Sequence, residues 1–222
     1  MRDMTIDAAI GRRERKKQAT RESLIEAAFA LFVDKGFEAT TVEEIADAVD
    51  VSSRTFFRYF ASKEDVVLTF QEEQQAMFLE RFRARPAAEP VVTALKHAAI
   101  DVATASEQGA GGFDPRRFVA VMKMMESSPA VMASSLQHQQ KKQELIVAAV
   151  AERMGVDPAT DLRPHVVGAI ANCGVRSAAD CWQHDSEQFG SFSEAIAKAF
   201  ALLEAGVNYP AAVPAEAAPQ TE

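Results

Sequence analysis

Residues 40–60 read TTVEEIADAVDVSSRTFFRYF, two short helices joined by a tight turn. Thr41 with Glu44 three residues on is a capping box, which starts a helix. Ile45, Ala46 and Val49 give that helix one apolar face, Asp50 breaks it, and apolar Val51 follows. Ser52 is an N-cap for a second helix, whose Phe56 and Phe60, four apart, face the core. The positions left over are Ser53, Arg54, Thr55, Phe57, Arg58 and Tyr59, mostly polar, basic or aromatic. A recognition helix sets its N-terminal half against base edges and its flanks against phosphates. This is the pattern of a helix-turn-helix.

The flanking sequence extends the pattern. Gly11 to Arg21 (GRRERKKQATR) holds Arg12, Arg13, Arg15, Lys16, Lys17 and Arg21 against only Glu14, and reads as a basic arm ahead of the first helix. That helix carries Leu24, Ile25, Ala28, Phe29, Leu31 and Phe32 as its stripe and ends at Lys35-Gly36, a cation in the last turn and a glycine beyond it. Ser62 and Asp65 read as a second capping box opening another helix. The run LFVDKGFEATTVEEIADAVDVSSRTFFRYFASKEDV resembles the DNA-binding domain of TetR-family transcriptional regulators over roughly residues 13–70. Members of that family usually carry Gly where this chain has Asp50, at a turn that needs φ > 0; Asp tolerates it at about 1 kcal/mol.

Charge divides the chain. Residues 1–63 contain 11 Lys+Arg and 11 Asp+Glu, residues 64–222 contain 13 and 21, and the net charge is −8. An acidic total alone argues against nucleic acid; cations gathered in the arm and recognition helix argue for it. With 48% hydrophobic residues the chain can bury a full core. Its apolar runs fall short of the ~20 residues of a membrane span, and the basic N-terminus lacks a signal peptide's apolar stretch. Cys173 and Cys181, on one helix, are too far apart for a disulfide. These features together predict a reduced, cytoplasmic setting.

Beyond residue 63 the periodicity is helical throughout, with helices over about Lys63–Arg85, Pro90–Ser106, Pro115–Ser127, Ala130–Met154, Arg163–His184 and Ser191–Val207. Pro86, Gly109 to Gly112, Pro129, Pro158 and Gly190 punctuate them. The expected fold is all-α, an N-terminal three-helix helix-turn-helix domain followed by a C-terminal helical bundle for ligand binding and dimerisation. The expected divisions are a flexible N-terminus (1–10), the DNA-binding domain (11–62), the ligand-binding and dimerisation domain (63–207) and a disordered tail rich in Ala, Pro and Glu (208–222).

By position on the recognition helix, Ser53, Arg54 and Thr55 are the candidates for base readout, with Arg54 able to fork onto a guanine. Phe57 can press on a thymine methyl. Arg58, Tyr59 and Lys63 suit phosphates, and the resemblance implies the same, since the family's tyrosine and lysine in the YF-x-x-K pattern hold the DNA backbone. Thr41 can offer its hydroxyl and amide to a phosphate, although it caps its helix whatever else it does. Tyr59 has an alternative place in the core, and the basic arm as a solvated charge run.

The C-terminal part is less pointed. Phe78, Phe82, Phe118, Met122 and Met125 belong to a Phe- and Met-rich supply that can line an adaptable lipophilic pocket or fill an ordinary bundle core. Asn172 and Arg176 sit four apart on an otherwise apolar helix. They suit an interface, a ligand head group, or a local pair of Arg176 with Asp180. Trp182 suits a pocket wall or a dimer seam. Small residues, among them Ala169, Ala171, Gly174, Ser177, Ala178 and Ala201, let helices approach closely, so residues 163–207 are the expected dimer interface. The resemblance implies the same, because these regulators pair their last two long helices into a four-helix bundle. The stretch AIANCGVRSAADCW (Ala169–Trp182) also resembles, in layout, the effector domain of actinobacterial regulators, which implies a fatty acyl-CoA-like ligand.

Catalysis finds little support. His97, His138, His165 and His184 are scattered without ligand spacing, and HExxH, paired CxxC, GxSxG and a phosphate loop are all absent from the sequence. No catalytic residue, metal site or cofactor is expected. The expectation, from the residues and the resemblance together, is a homodimeric repressor that binds an inverted-repeat operator in double-stranded DNA and is released by a small lipophilic effector. The alternative is a ligand-independent DNA-binding or scaffolding protein, which would have a packed rather than open C-terminal bundle.

Overall fold

The computed structural model describes residues 11–207, and among them it contains helices and no strand. In chain order these are α1 (Arg12–Lys35), α2 (Val42–Asp47), α3 (Ser53–Phe56), α4 (Lys63–Ala84), α5 (Val91–Gln108), α6 (Pro115–Ser127), α7 (Pro129–Met154), α8 (Arg163–His184), α9 (Ser186–Phe189) and α10 (Phe192–Ala205). The expectations for residues 1–10 and 208–222 lie outside the described residues. All six helices expected beyond residue 63 are present, and the one-turn α9 is an addition. No described helix is long and apolar enough to cross a membrane.

The basic run is not an arm ahead of the first helix. Arg12 is the first residue of α1, and the run forms its opening turns. Arg, Lys, Glu and Gln are good helix formers, and no Gly or Pro lies between Gly11 and Leu24 to stop the helix there.

Local chemistry sets the motif that follows. The Thr41 hydroxyl accepts from the Glu44 amide (3.2 Å) while the Glu44 carboxylate accepts from the Thr41 amide (2.9 Å), a complete capping box. Asp50 closes α2 at φ 54°, as the turn demands. The Val51 amide reaches back to the Ala46 carbonyl (3.0 Å) and the Asp50 amide to that of Asp47 (3.1 Å), a Schellman arrangement. At α4, Ser62 caps the Asp65 amide (3.4 Å), but the Asp65 carboxylate accepts from Ala61 (2.9 Å) instead of Ser62, so the second box is only half formed.

Leu24, Phe29 and Phe32 of α1, Ile45 of α2, Phe56 of α3, Phe60, and Val66 and Phe70 of α4 are buried together. Phe70 lies 6.5 Å from Phe29 on one side and 5.5 Å from Phe113 on the other, so this core runs on into the C-terminal helices. The far end of α4 is fastened as well. Arg153 of α7 donates to the carbonyls of Arg85, Pro86 and Glu89 (3.3, 2.5 and 2.9 Å) and lies over the Phe82 ring at 5.4 Å.

The small-residue stripe of α8 divides between two faces. Ala171, Gly174 and Ala178 are buried within the protomer. A Cβ at Gly174 would sit 2.9 Å from the Leu203 side chain, so the stripe lets α10 pack closely on α8. Ala178, expected in the dimer seam, is 3% exposed and belongs to this internal seam. Val166, Ala169, Cys173, Ser177 and Cys181 of α8 are exposed, as are Ala201 and Leu202 of α10. Both cysteines are free.

Glu44 carries the capping box and also an ion pair with Lys35 at the end of α1. The Lys35 ammonium first, then the Thr41 amide and hydroxyl, hold its carboxyl at about 2, down from an ordinary 4.5. A carboxyl lowered on folding stabilises the fold fully above its unfolded value and loses that contribution as pH falls through its folded value. Thermal melts of the full chain should therefore show an acid-dependent loss between about pH 4.5 and 2 that Glu44→Gln reduces. An unchanged pH slope in the variant would remove Glu44 as its source.

Candidate nucleic-acid interface and effector cavity

The recognition element opens with Ser52, whose hydroxyl accepts from the Thr55 amide (3.2 Å) and pairs with the Thr55 hydroxyl (3.0 Å). This cap turns the next side chains outward. Arg54, Thr55, Phe57 and Arg58 share one surface depression, and Phe57 is 54% exposed, edge-on to buried Phe56 at 5.6 Å. An exposed aromatic ring between two arginines has no packing reason to face water. Ser53 and Tyr59 are half-buried, and the Arg58 guanidinium lies 5.2 Å from the centre of the Tyr59 ring. Thr41 is exposed at the start of α2 with its hydroxyl engaged by Glu44.

Lys63 is placed differently from its neighbours. Its ammonium donates to the carbonyls of Phe37 and Thr40 (2.8 and 3.1 Å) and stands 4.3 Å from the centre of the Phe37 ring. It therefore ties the α1–α2 loop to the start of α4, and of its three N–H donors one is left for another acceptor. The sequence pattern does not carry this role, because the carbonyls belong to residues more than twenty positions away.

A cavity of about 760 Å³ lies among α4, α5, α6, α7, α8 and α10. Phe78, Phe118, Met122, Met125, Asn172 and Arg176 line it, as the Phe and Met supply suggested. Phe82 does not: it is 1% exposed and stacked beneath Phe78, with ring centres 6.3 Å apart. Nor does Trp182, which packs on Phe118 and Phe192 (6.1 and 5.7 Å) and donates from its indole to the Gly190 carbonyl (2.9 Å). It supports the wall from behind. Arg176 and Asp180 are exposed at the cavity's edge and form no ion pair among the described residues.

The polar half of the lining was not anticipated. Gln71, Gln74 and Gln75 project from α4, and Gln139, Lys142 and Gln143 from α7. Each set is spaced i, i+3, i+4, which brings its members to one face of the helix; that repeated spacing was the available signal. Gln71 is the centre of the group. Its side-chain oxygen accepts from Lys142 (2.5 Å) and Ser135 (3.0 Å), and its amide donates to the Met125 sulfur (3.2 Å). Burial pushes the Lys142 amine below its ordinary value, against the opposing pull of the Glu72 charge.

The two regions are physically joined. Alongside α4, the helix α6 carries Met122 and Met125 into the cavity, while its Arg117 lies 5.2 Å from the centre of the Phe29 ring in α1. At the end of α6, Ser128 donates to Glu38 of the α1–α2 loop at 2.6 Å.

Comparison with known proteins bears on both regions. Residues 24–69 match the family model described as bacterial regulatory proteins of the tetR family, and residues 89–208 match the model of the MftR C-terminal domain. The chain is 38% identical to the HTH-type transcriptional regulator TcmR of Streptomyces glaucescens over 161 residues, which span 72% of this chain and 71% of that protein. Among solved structures, the SmeT–triclosan complex, whose protein is the repressor of a Stenotrophomonas maltophilia multidrug efflux pump, aligns with a TM-score of 0.56 at 18% identity, covering 83% of this chain and 91% of that one. FadR of Thermus thermophilus, a transcriptional repressor in complex with lauroyl-CoA, aligns with a TM-score of 0.54 at 22% identity, covering 88% and 99%. At those identities the structures speak for the fold alone. The relatives are transcriptional regulators and not enzymes, and this chain belongs to the tetR family of bacterial DNA-binding transcriptional regulators.

Proposed function

We propose that this regulator is a repressor that binds an inverted-repeat operator as a homodimer in the cytoplasm and is released by a small lipophilic ligand. Residues 11–62 contact DNA, and residues 63–207 hold the ligand and the second protomer. The observation that carries this reading is the joining of cavity to DNA-binding region through α4 and α6, each of which touches both. A ligand that favours one placement of these helices alters the spacing of the two recognition elements, and its differential affinity bounds the effect. The fold neighbours SmeT and FadR, in complex with triclosan and lauroyl-CoA, hold ligands that share an apolar body, and a lipophilic effector here is in keeping with them; only lauroyl-CoA is acyl-like. A ligand-independent regulator with a packed bundle is disfavoured by an opening of about 760 Å³.

In the DNA complex Ser53, Arg54 and Thr55 meet base edges and Phe57 a thymine methyl. Arg58, Tyr59 and the opening turns of α1 meet phosphates, and Lys63 has one N–H to add; Thr41, whose amide and hydroxyl both donate to Glu44, joins them only where a phosphate displaces that carboxylate. The operator is found by selecting genomic fragments bound by the full chain, then titrated at several salt concentrations. Arg54→Ala should cost roughly 1–3 kcal/mol at the cognate site and relax one base preference. Equal losses on cognate and random DNA would take Arg54 out of base readout.

Induction is tested by filling the cavity. Met122→Trp should still form the operator complex but no longer release it on adding a lipophile, such as lauroyl-CoA, that releases the parent. Coupling in the usual range lowers operator affinity about 5- to 150-fold. Release that survives in Met122→Trp would move the ligand elsewhere, and a parent that no lipophile releases would end the induction model.

The dimer seam is assigned to the outward face of α8 and α10, where Val166 is 48% and Leu202 55% exposed beside small side chains. Leu202→Asp would leave a carboxylate without a partner in that seam, so sedimentation at micromolar concentration should show monomers. A dimer that persists would place the interface on another face.

A further inference from the structure

The cavity wall contains a charge that no carboxylate among the described residues meets in an ion pair, although the Glu72 charge acts on it from farther off. Four lining residues are charged, and three of them, Glu126, Arg176 and Asp180, are exposed at its edge. Lys142 is half-buried, and among the described residues it forms no ion pair; its one hydrogen bond is to the neutral Gln71 amide oxygen at 2.5 Å. Burial already lowers the affinity of this amine for its proton. Two further lining residues each bury one polar atom with no hydrogen-bond partner, the Gln75 amide nitrogen and the Gln143 amide oxygen. A donor and an acceptor left unmade in a buried wall are costly. A ligand that supplied an anion, an acceptor and a donor would satisfy all three.

We propose that the ligand of this cavity is an amphiphilic acid, its anionic group held by Lys142 and its apolar body lying against Phe78, Phe118 and Met122. A carbonyl on that body accepts from Gln75, and a hydroxyl donates to Gln143. The assignment rests on the reading of the cavity as the effector site. It also specifies how the ligand reaches the DNA-binding region. Lys142 and Ser135 of α7 both donate to Gln71 of α4. An anion that draws the Lys142 ammonium to itself loosens the tie between those helices, two turns along α4 from Lys63.

Two fluorescent probes of nearly identical body separate charge from greasiness: anilinonaphthalene sulfonate, an anion, and N-phenylnaphthylamine, which lacks the sulfonate. Titrated into the full chain, the sulfonate should bind roughly 10- to 100-fold more tightly, the worth of a hydrogen-bonded charge in a partly dry wall. Lys142→Met should erase that preference and leave the neutral probe's affinity unchanged. Lys142→Gln, which keeps a donor for Gln71, should do the same. Equal binding of the two probes by the parent, or a sulfonate preference that survives both substitutions, overturns the acid assignment. Met122→Trp distinguishes the deeper failure: if it weakens the neutral probe, the cavity reading stands whatever becomes of Lys142. If neither probe binds the parent, or Met122→Trp weakens neither, the cavity reading falls and the proposal with it.

Discussion

Val66, Val67, Leu68, Thr69 and Phe70 are five consecutive buried residues, and a helix shows that pattern only where it is surrounded. A surface helix buries one stripe; here successive residues point in every direction around α4 and each finds protein. Val66 and Phe70 close the core of the helix-turn-helix, and Phe70 reaches Phe113 beyond it. The hydroxyl of Thr69 can be buried there only because it donates to the Val66 carbonyl at 2.6 Å. Packed interiors have little free volume, so this segment moves with its surroundings or not at all. The assembly of recognition helix and C-terminal bundle depends on it.

The opening turns of α1 raise an electrostatic question that the fold itself does not answer. Cations near a helix N-terminus oppose the helix dipole, and Glu14 is the one acidic residue in that first turn. Arg13, Lys16 and Lys17 are exposed, so water screens most of the cost. Lys17 also pairs with Glu14 at 3.4 Å, and a neighbouring polyanion would lower the remaining cost further. The acidic excess of the chain lies beyond residue 63, and segregation, rather than net charge, made the sequence readable as a DNA binder.

What could be read from sequence alone follows from the range of the interactions involved. The Thr41–Glu44 box, the Ser52 cap and the turn at Asp50 all act within four residues, so they appear as short patterns and recur in the structure. The helical periods beyond residue 63 were equally legible. The tie from Lys63 to Phe37 and Thr40 spans 26 and 23 positions and leaves no local trace. Whether an apolar side chain faces a cavity or lies one layer behind it depends on tertiary packing, which is why Phe78 and Phe82, neighbours on one helix, parted ways. Beyond its repeated spacing, the glutamine-rich wall leaves no distinct trace in the sequence, because polar residues on a helix usually mean a wet surface. Ala178 was assigned to an outer seam because small residues mark close approach without saying which helix approaches.

The fastening of both ends of α4 has a mechanical meaning. The helix is a beam of about 33 Å, twenty-two residues at ~1.5 Å each. One support is the encased segment near Lys63, and the other is the corner where Arg153 grips three carbonyls across the end of the helix. A beam free at one end would swing when loaded and spend its motion there. A beam held at both ends bends or rolls about its axis, and its supports receive the load as torque. Gln71, Gln74, Gln75 and Phe78 lie between the supports. The guanidinium at the distal corner, at the opposite end of α4 from the recognition helix, therefore bears on how much of a mid-span deflection is delivered there.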